Sequence, residues 1–179
     1  TGGSSIEKHL EAIGHMWLIG GSHRSQGLPC SPQHLHAAAI RQYFPELVPD
    51  WAFMVVRHPV ERLISQYKYQ TRKAQWLRKS WSFSVWLRYV LARHKLNPYY
   101  RDNHFRPQVE FEGFSAEVFH FEDGLERCIA SVDNRFGVSS GEELVWEKRS
   151  AEGRVEVCAT DLDVIREVYQ ADFSRYGYK

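Results

Sequence analysis

The spacing of apolar and polar positions changes most abruptly between Trp51 and Tyr69. Trp51, Ala52, Phe53, Met54, Val55 and Val56 are apolar without a break, and so short a run predicts a strand buried on both faces, inside a parallel sheet. After Arg57-His58-Pro59 the apolar residues recur as Val60, Leu63, Ile64 and Tyr67, the spacing of one helix face. The segment therefore reads as strand, sharp turn and helix, with Arg62, Ser65 and Tyr69 on the face opposite the apolar stripe.

The same periodicity places the other elements. Ile6, Leu10 and Ile13 predict an opening helix whose start carries Gly2, Gly3, Ser4 and Ser5. Residues 14–33 show little periodicity and read as loop. Ser31-Pro32 looks like an N-cap and first helical residue for a helix over about His34 to Phe44. Phe83, Trp86, Leu87, Val90, Leu91 and His94 mark an amphipathic helix with Arg88 and Arg93 outward. Lys95 to Glu112 is a long irregular connection, and connections of that kind are often functional. Glu117 to Phe121 reads as a second buried strand, and Asp123-x-x-Glu126 as the start of a helix with Leu125, Cys128, Ile129 and Val132 inward. Residues 138–154 are polar and irregular. Thr160-x-x-Asp163 opens a last helix with Leu162, Ile165, Tyr169 and Phe173 inward. Strands alternating with helices give an α/β fold, in a single domain over residues 1–179 with no internal repeat.

Composition narrows the partners. At 179 residues the formal charge is +1, so nucleic acid is a poor fit and any anion site must be a local cluster. Three cysteines, odd in number and without a CxxC spacing, read as reduced thiols of a cytoplasmic protein. No apolar run approaches the length of a membrane span, and no secretory signal is present.

Within this frame some residues carry chemistry. Arg57 sits at the carboxyl end of the first strand, where ligands of α/β sheets bind, and Ser65 follows eight positions later. Guanidinium and hydroxyl can converge on one anion; equally, Arg57 could pair with a structural carboxylate. Gly2-Gly3-Ser4-Ser5 at a helix start suits a phosphate, and equally suits a flexible start. His34 and His36, at i and i+2, share no face of a regular helix, and no Cys or carboxylate neighbour completes a ligand set, so no metal is expected. Arg72 to Trp81 mixes basic residues with tryptophans, which could receive a sugar or anionic acceptor, or simply plug the core.

Arg57-x-Pro59-x-x-Arg62-x-x-Ser65 behind an apolar strand resembles the 3′-phosphate-binding segment of sulfotransferases that use 3′-phosphoadenosine 5′-phosphosulfate (PAPS). Thr1-Gly2-Gly3-Ser4-Ser5 resembles the end of that family's 5′-phosphosulfate loop, usually Pro-Lys-Thr-Gly-Gly-(Thr/Ser)-Ser. His34-x-His36 resembles the pair of the uronosyl 2-O-sulfotransferases, and the closing Tyr169-x-x-Asp172-Phe173 through Gly177-Tyr178 resembles the terminal helix of bacterial-type members. The resemblance implies a P-loop-like three-layer fold with a central, mostly parallel sheet flanked by helices. It also implies PAPS as donor, adenosine 3′,5′-bisphosphate (PAP) as product, and a hydroxyl-bearing acceptor, with carbohydrate favoured. Thr1, Gly2, Gly3, Ser4 and Ser5 would hold the phosphosulfate, Arg57 and Ser65 the 3′-phosphate, and Lys148 and Arg149 would add donor contacts. His36 would be the general base and His34 its neighbour at the substrate; no metal is required. The family's first strand and its Pro-Lys are not in the sequence, and both are expected upstream of Thr1. A small-molecule kinase and a non-catalytic nucleotide- or glycan-binding domain are the alternatives, the first weakened by the lack of a Gly-x-x-x-x-Gly-Lys-(Ser/Thr) motif.

Overall fold

The computed structural model describes residues 3–14, 27–73, 81–138 and 153–179. Thr1, Gly2, Lys148, Arg149 and most of the Arg72–Trp81 stretch lie outside the described residues. Helix α1 (Gly3–Ala12) is followed by a short 3₁₀ helix (Pro32–His34), α2 (Ala37–Tyr43), strand β1 (Phe53–Val56), α3 (Pro59–Lys73) and α4 (Phe83–Leu96). A 3₁₀ helix (Gln108–Phe111), strand β2 (Glu117–His120), a further 3₁₀ helix (Phe121–Asp123), α5 (Glu126–Phe136), α6 (Ala159–Val168) and α7 (Gln170–Tyr176) complete the order.

The strands pair in parallel, with Phe53 opposite Glu117 and Val56 opposite His120. Helices flank this small sheet, so the α/β reading holds. Burial on both faces is reached only at Val56; the rest of β1 is half-buried, because among the described residues β2 is its one neighbour. Phe53, Val55, Phe119 and Phe121 pack onto a cluster of Ile6, Leu125, Cys128 and Ile129, which fixes α1 and α5 to the sheet. A larger cluster joins α3, α4 and α6 through Leu63, Trp86, Leu87, Val90 and Ile165 with Phe105 from the long connection.

Periodicity located α3 and α4 well, because each buries one stripe against the other: Leu63 on α3, and Phe83, Trp86, Leu87 and Val90 on α4. Caps were less legible. The N-terminal box of α6 is Cys158 with Asp161, not Thr160 with Asp163, and α5 begins at Glu126 behind a separate 3₁₀ turn that holds Asp123. The expected helix over His34–Phe44 is broken at Leu35, which is extended and buried against Cys30 and Ala39. The His34 carbonyl, which a continuous helix would use internally, accepts from Asn103 Nδ2 at 2.7 Å and from Cys30 Sγ at 3.4 Å.

Candidate functional site

Arg57 leaves the end of β1 and turns directly into α3. Its backbone is gripped at both ends by one side chain: Arg57 N–H donates to Gln108 Oε1 at 2.9 Å, and Gln108 Nε2 donates to the Arg57 carbonyl at 2.8 Å. The next peptide is fixed as well, His58 N–H donating to Glu122 Oε1 at 2.7 Å while Tyr178 Oη donates to the other oxygen of Glu122 at 3.1 Å. The guanidinium lies over the Phe121 ring, 4.7 Å from its centroid. Among the described residues its ion-pair partner is Glu61 at 3.9 Å, a long contact to an exposed carboxylate and so a weak one. Desolvation lowers the Arg57 pKa from its ordinary value, with Glu61 and Glu122 opposing, and so its positive charge sits in a place that favours an incoming anion.

Gln108 is itself anchored. Its N–H and that of Val109 donate to the two oxygens of Asp172, each at 2.9 Å, and Asp172 is fully buried. Tyr169 Oη donates to the Phe105 carbonyl at 2.9 Å. The terminal Tyr169-x-x-Asp172 pattern therefore fastens the 105–109 stretch that shapes the Arg57 turn, rather than only packing the last helix onto the sheet. Arg62 joins the same scaffold: it is buried, it donates from both terminal nitrogens to the Arg106 carbonyl at 3.0 Å, and it stands 4.0 Å from Asp172. Its expected place on an outer face is thus corrected, since a carbonyl and a carboxylate inside the protein satisfy its charge. Ser65 is partly buried two turns into α3. Gly3, Ser4 and Ser5 form the first turn of α1, with Ser5 buried. The helix they open and the Phe121 ring beneath Arg57 meet in one apolar cluster.

His34 ends the first 3₁₀ helix and His36 precedes α2, and His34 meets Asp102 and Asn103 of the long connection. His36 is the N-cap of α2 and its Nδ1 is buried without a hydrogen-bond partner. Desolvation first, then the Arg106 charge, lowers its pKa, which keeps the ring neutral at physiological pH. His34 Nδ1 lies 2.6 Å from Asp102 Oδ2, and the other Asp102 oxygen accepts from Ser31 N–H at 2.7 Å. Desolvation alone would raise the Asp102 pKa; hydrogen bonds from Ser31 and His34 bring it below the usual carboxylate range. The His104 ring stands 4.5 Å from that of His34, its Nδ1 3.1 Å from Gln66 Nε2. His34 therefore does acquire a carboxylate neighbour, which local spacing could not reveal because 68 residues separate the pair.

An open groove of about 610 Å³ runs beside this region, lined by Arg41, Glu112, Gly113, Phe114 and Arg175 among others.

Residues 31–179 match the model of the sulfotransferase family. The match covers well over half of the 179 residues, and the chain belongs to that family, whose chemistry is sulfuryl transfer. No curated protein and no solved structure matches it. None of the helices among the described residues is long and apolar enough to cross a membrane.

Proposed function

We propose that this transferase moves a sulfuryl group from PAPS to a hydroxyl of a carbohydrate acceptor. The observation that carries the reading is the bracing of Arg57: its backbone is held by Gln108, its guanidinium rests on Phe121, and among the described residues its one ion pair is the long contact with exposed Glu61. A partly desolvated, rigidly mounted guanidinium fits a dianionic 3′-phosphate. Ser65, on the next helix, adds a hydroxyl. The start of α1, with Gly3, Ser4 and Ser5, takes the phosphosulfate end, since the positive end of a helix dipole favours anions. Thr1, Gly2, Lys148 and Arg149 join the donor site on resemblance alone, as does the P-loop-like arrangement of the sheet.

The acceptor oxygen attacks sulfur in line, the S–O bond to the phosphate breaks, and PAP leaves. His36 takes the acceptor's proton. A neutral imidazole is the form a general base needs, and burial beside Arg106 favours that form. Positioning and charge stabilisation supply most of the acceleration. His34 is the less direct participant, because its Nδ1 is committed to Asp102.

The test is transfer of labelled sulfate from PAPS to a panel of glycans, phenols and lipids by the chain extended upstream of Thr1. Label on glycans, lost in His36→Ala, is the expected result. A chain that binds PAP yet labels nothing would be a binding domain instead.

A further inference from the structure

We propose that His34, Asp102 and His104 form a binding site for a divalent transition-metal ion, Zn²⁺ foremost. One ligand atom from each residue lies within 4.8 Å of the others. Ligands on a tetrahedral zinc, at about 2.0–2.2 Å from the ion, stand about 3.3–3.6 Å apart. The closest pair here, His34 Nδ1 and Asp102 Oδ2 at 2.6 Å, shares a proton that a cation would replace; the set closes on an ion with shifts of about 1 Å.

The surroundings are those of a built site. Two of the three ligands have an outer partner: Ser31 N–H occupies Oδ1 of Asp102 and leaves Oδ2 facing His34. Gln66 lies against Nδ1 of His104; with its amide turned over, Oε1 accepts from Nδ1–H and leaves the Nε2 lone pair for the ion. The His34 carbonyl is fixed by Asn103 Nδ2, and Asn103 is fully buried.

Backbone strain points to the same place. Arg101, Asp102 and Asn103 take left-handed φ values of 53°, 59° and 67° in succession, although none is glycine. That conformation costs about 1 kcal/mol or more per residue, and it is what turns Asp102 onto His34. Side-chain accessibilities of 31% for His34 and 30% for Asp102 leave room for water as a fourth ligand.

Two imidazoles and one carboxylate suit Zn²⁺, Co²⁺ or Ni²⁺ and disfavour Mg²⁺ and Ca²⁺, which prefer all-oxygen sets. The ion would tie the left-handed turn to the 3₁₀ helix just before His36. The site rests on these contacts alone and does not depend on sulfuryl transfer.

The test uses tag-free chain, dialysed against Zn²⁺ and assayed for metal by mass spectrometry, with Co²⁺ absorption as a second readout. One equivalent per chain is expected, with tetrahedral Co²⁺ bands. Asp102→Asn, which keeps the shape and the bond to His34, should lose at least 10-fold in affinity, and Gln66→Ala about 10- to 100-fold. His9→Ala, outside the cluster, should bind as the parent does. Circular dichroism of each variant separates lost metal from lost fold. Substoichiometric uptake by the parent, or uptake unchanged in a folded Asp102→Asn, would overturn the site.

Discussion

Gln108 and Arg57 form a two-way clamp: one amide side chain accepts from the arginine's N–H at 2.9 Å and donates to its carbonyl at 2.8 Å. The pairing imitates a strand neighbour at the point where β1 stops, so the turn into α3 is set before any ligand arrives. Gln108→Leu leaves both Arg57 backbone groups unpaired, at a cost of about 2–3 kcal/mol. Urea unfolding should show that loss, and PAP affinity should fall about 10-fold as the guanidinium loses its mounting. An unchanged midpoint would mean that the clamp is incidental.

Asp172 is the next layer of the same support. Ala at this position strands two buried N–H groups and Arg62, for about 3–5 kcal/mol, a large share of a domain's stability. Asp172→Asn keeps one acceptor oxygen and should lose less. The ordering of midpoints, parent above Asn above Ala, checks this by chemical denaturation.

Acid should unfold the protein partly through Asp161 and Glu112. Burial would raise the Asp161 pKa, but hydrogen bonds from Ser84 at 2.5 Å, from Cys158 and from Arg88 bring it below the ordinary value. Arg175, at 2.5 Å, lowers that of Glu112, with Tyr176 adding to it. Since both folded values are depressed, the unfolded chain binds more protons at acid pH. Their contribution is complete above the ordinary carboxylate range and disappears as pH falls through the folded values. Stability measured at stepped pH should decline on that limb, and the decline should be shallower in Asp161→Asn; an identical slope would refute the assignment.

Gly113 is a packing requirement. A Cβ there would stand 2.6 Å from Ala37 Cβ, so Gly113→Ala must push α2 away from the 112–116 loop. The expected cost is about 1–3 kcal/mol. Adding Ala37→Gly should restore at least half of it, apart from about 0.5–1 kcal/mol for glycine near a helix start. A double variant no better than the single one would place the strain elsewhere.

How much of this was legible in the sequence depends on range. The β1–Arg57–α3 unit and the inward faces of α4 and α5 were readable, because each is set by burying one local stripe. Arg62 was misplaced because its partners, the Arg106 carbonyl and Asp172, come from distant segments. The break at Leu35 was hidden for the same reason: Asn103 takes the carbonyl that the helix needed. The left-handed run at 101–103 carries no glycine to announce it, so Asp102 and His104 gave no sign of meeting His34. The part played by Gln108 left no local trace either, as an isolated glutamine in an irregular stretch has no periodicity to read.

The donor site is tested most directly by calorimetry of PAP and of ATP against the parent and Arg57→Ala. Among the described residues the only ion pair of Arg57 is the 3.9 Å contact with Glu61, which is exposed and can be solvated by water, so the variant should stay folded. PAP should bind the parent selectively over ATP, and Arg57→Ala should weaken it about 10- to 100-fold, the loss of charge-assisted hydrogen bonds to one phosphate. Preference for ATP, or equal PAP affinity in parent and variant, would contradict the assignment of this turn to the 3′-phosphate.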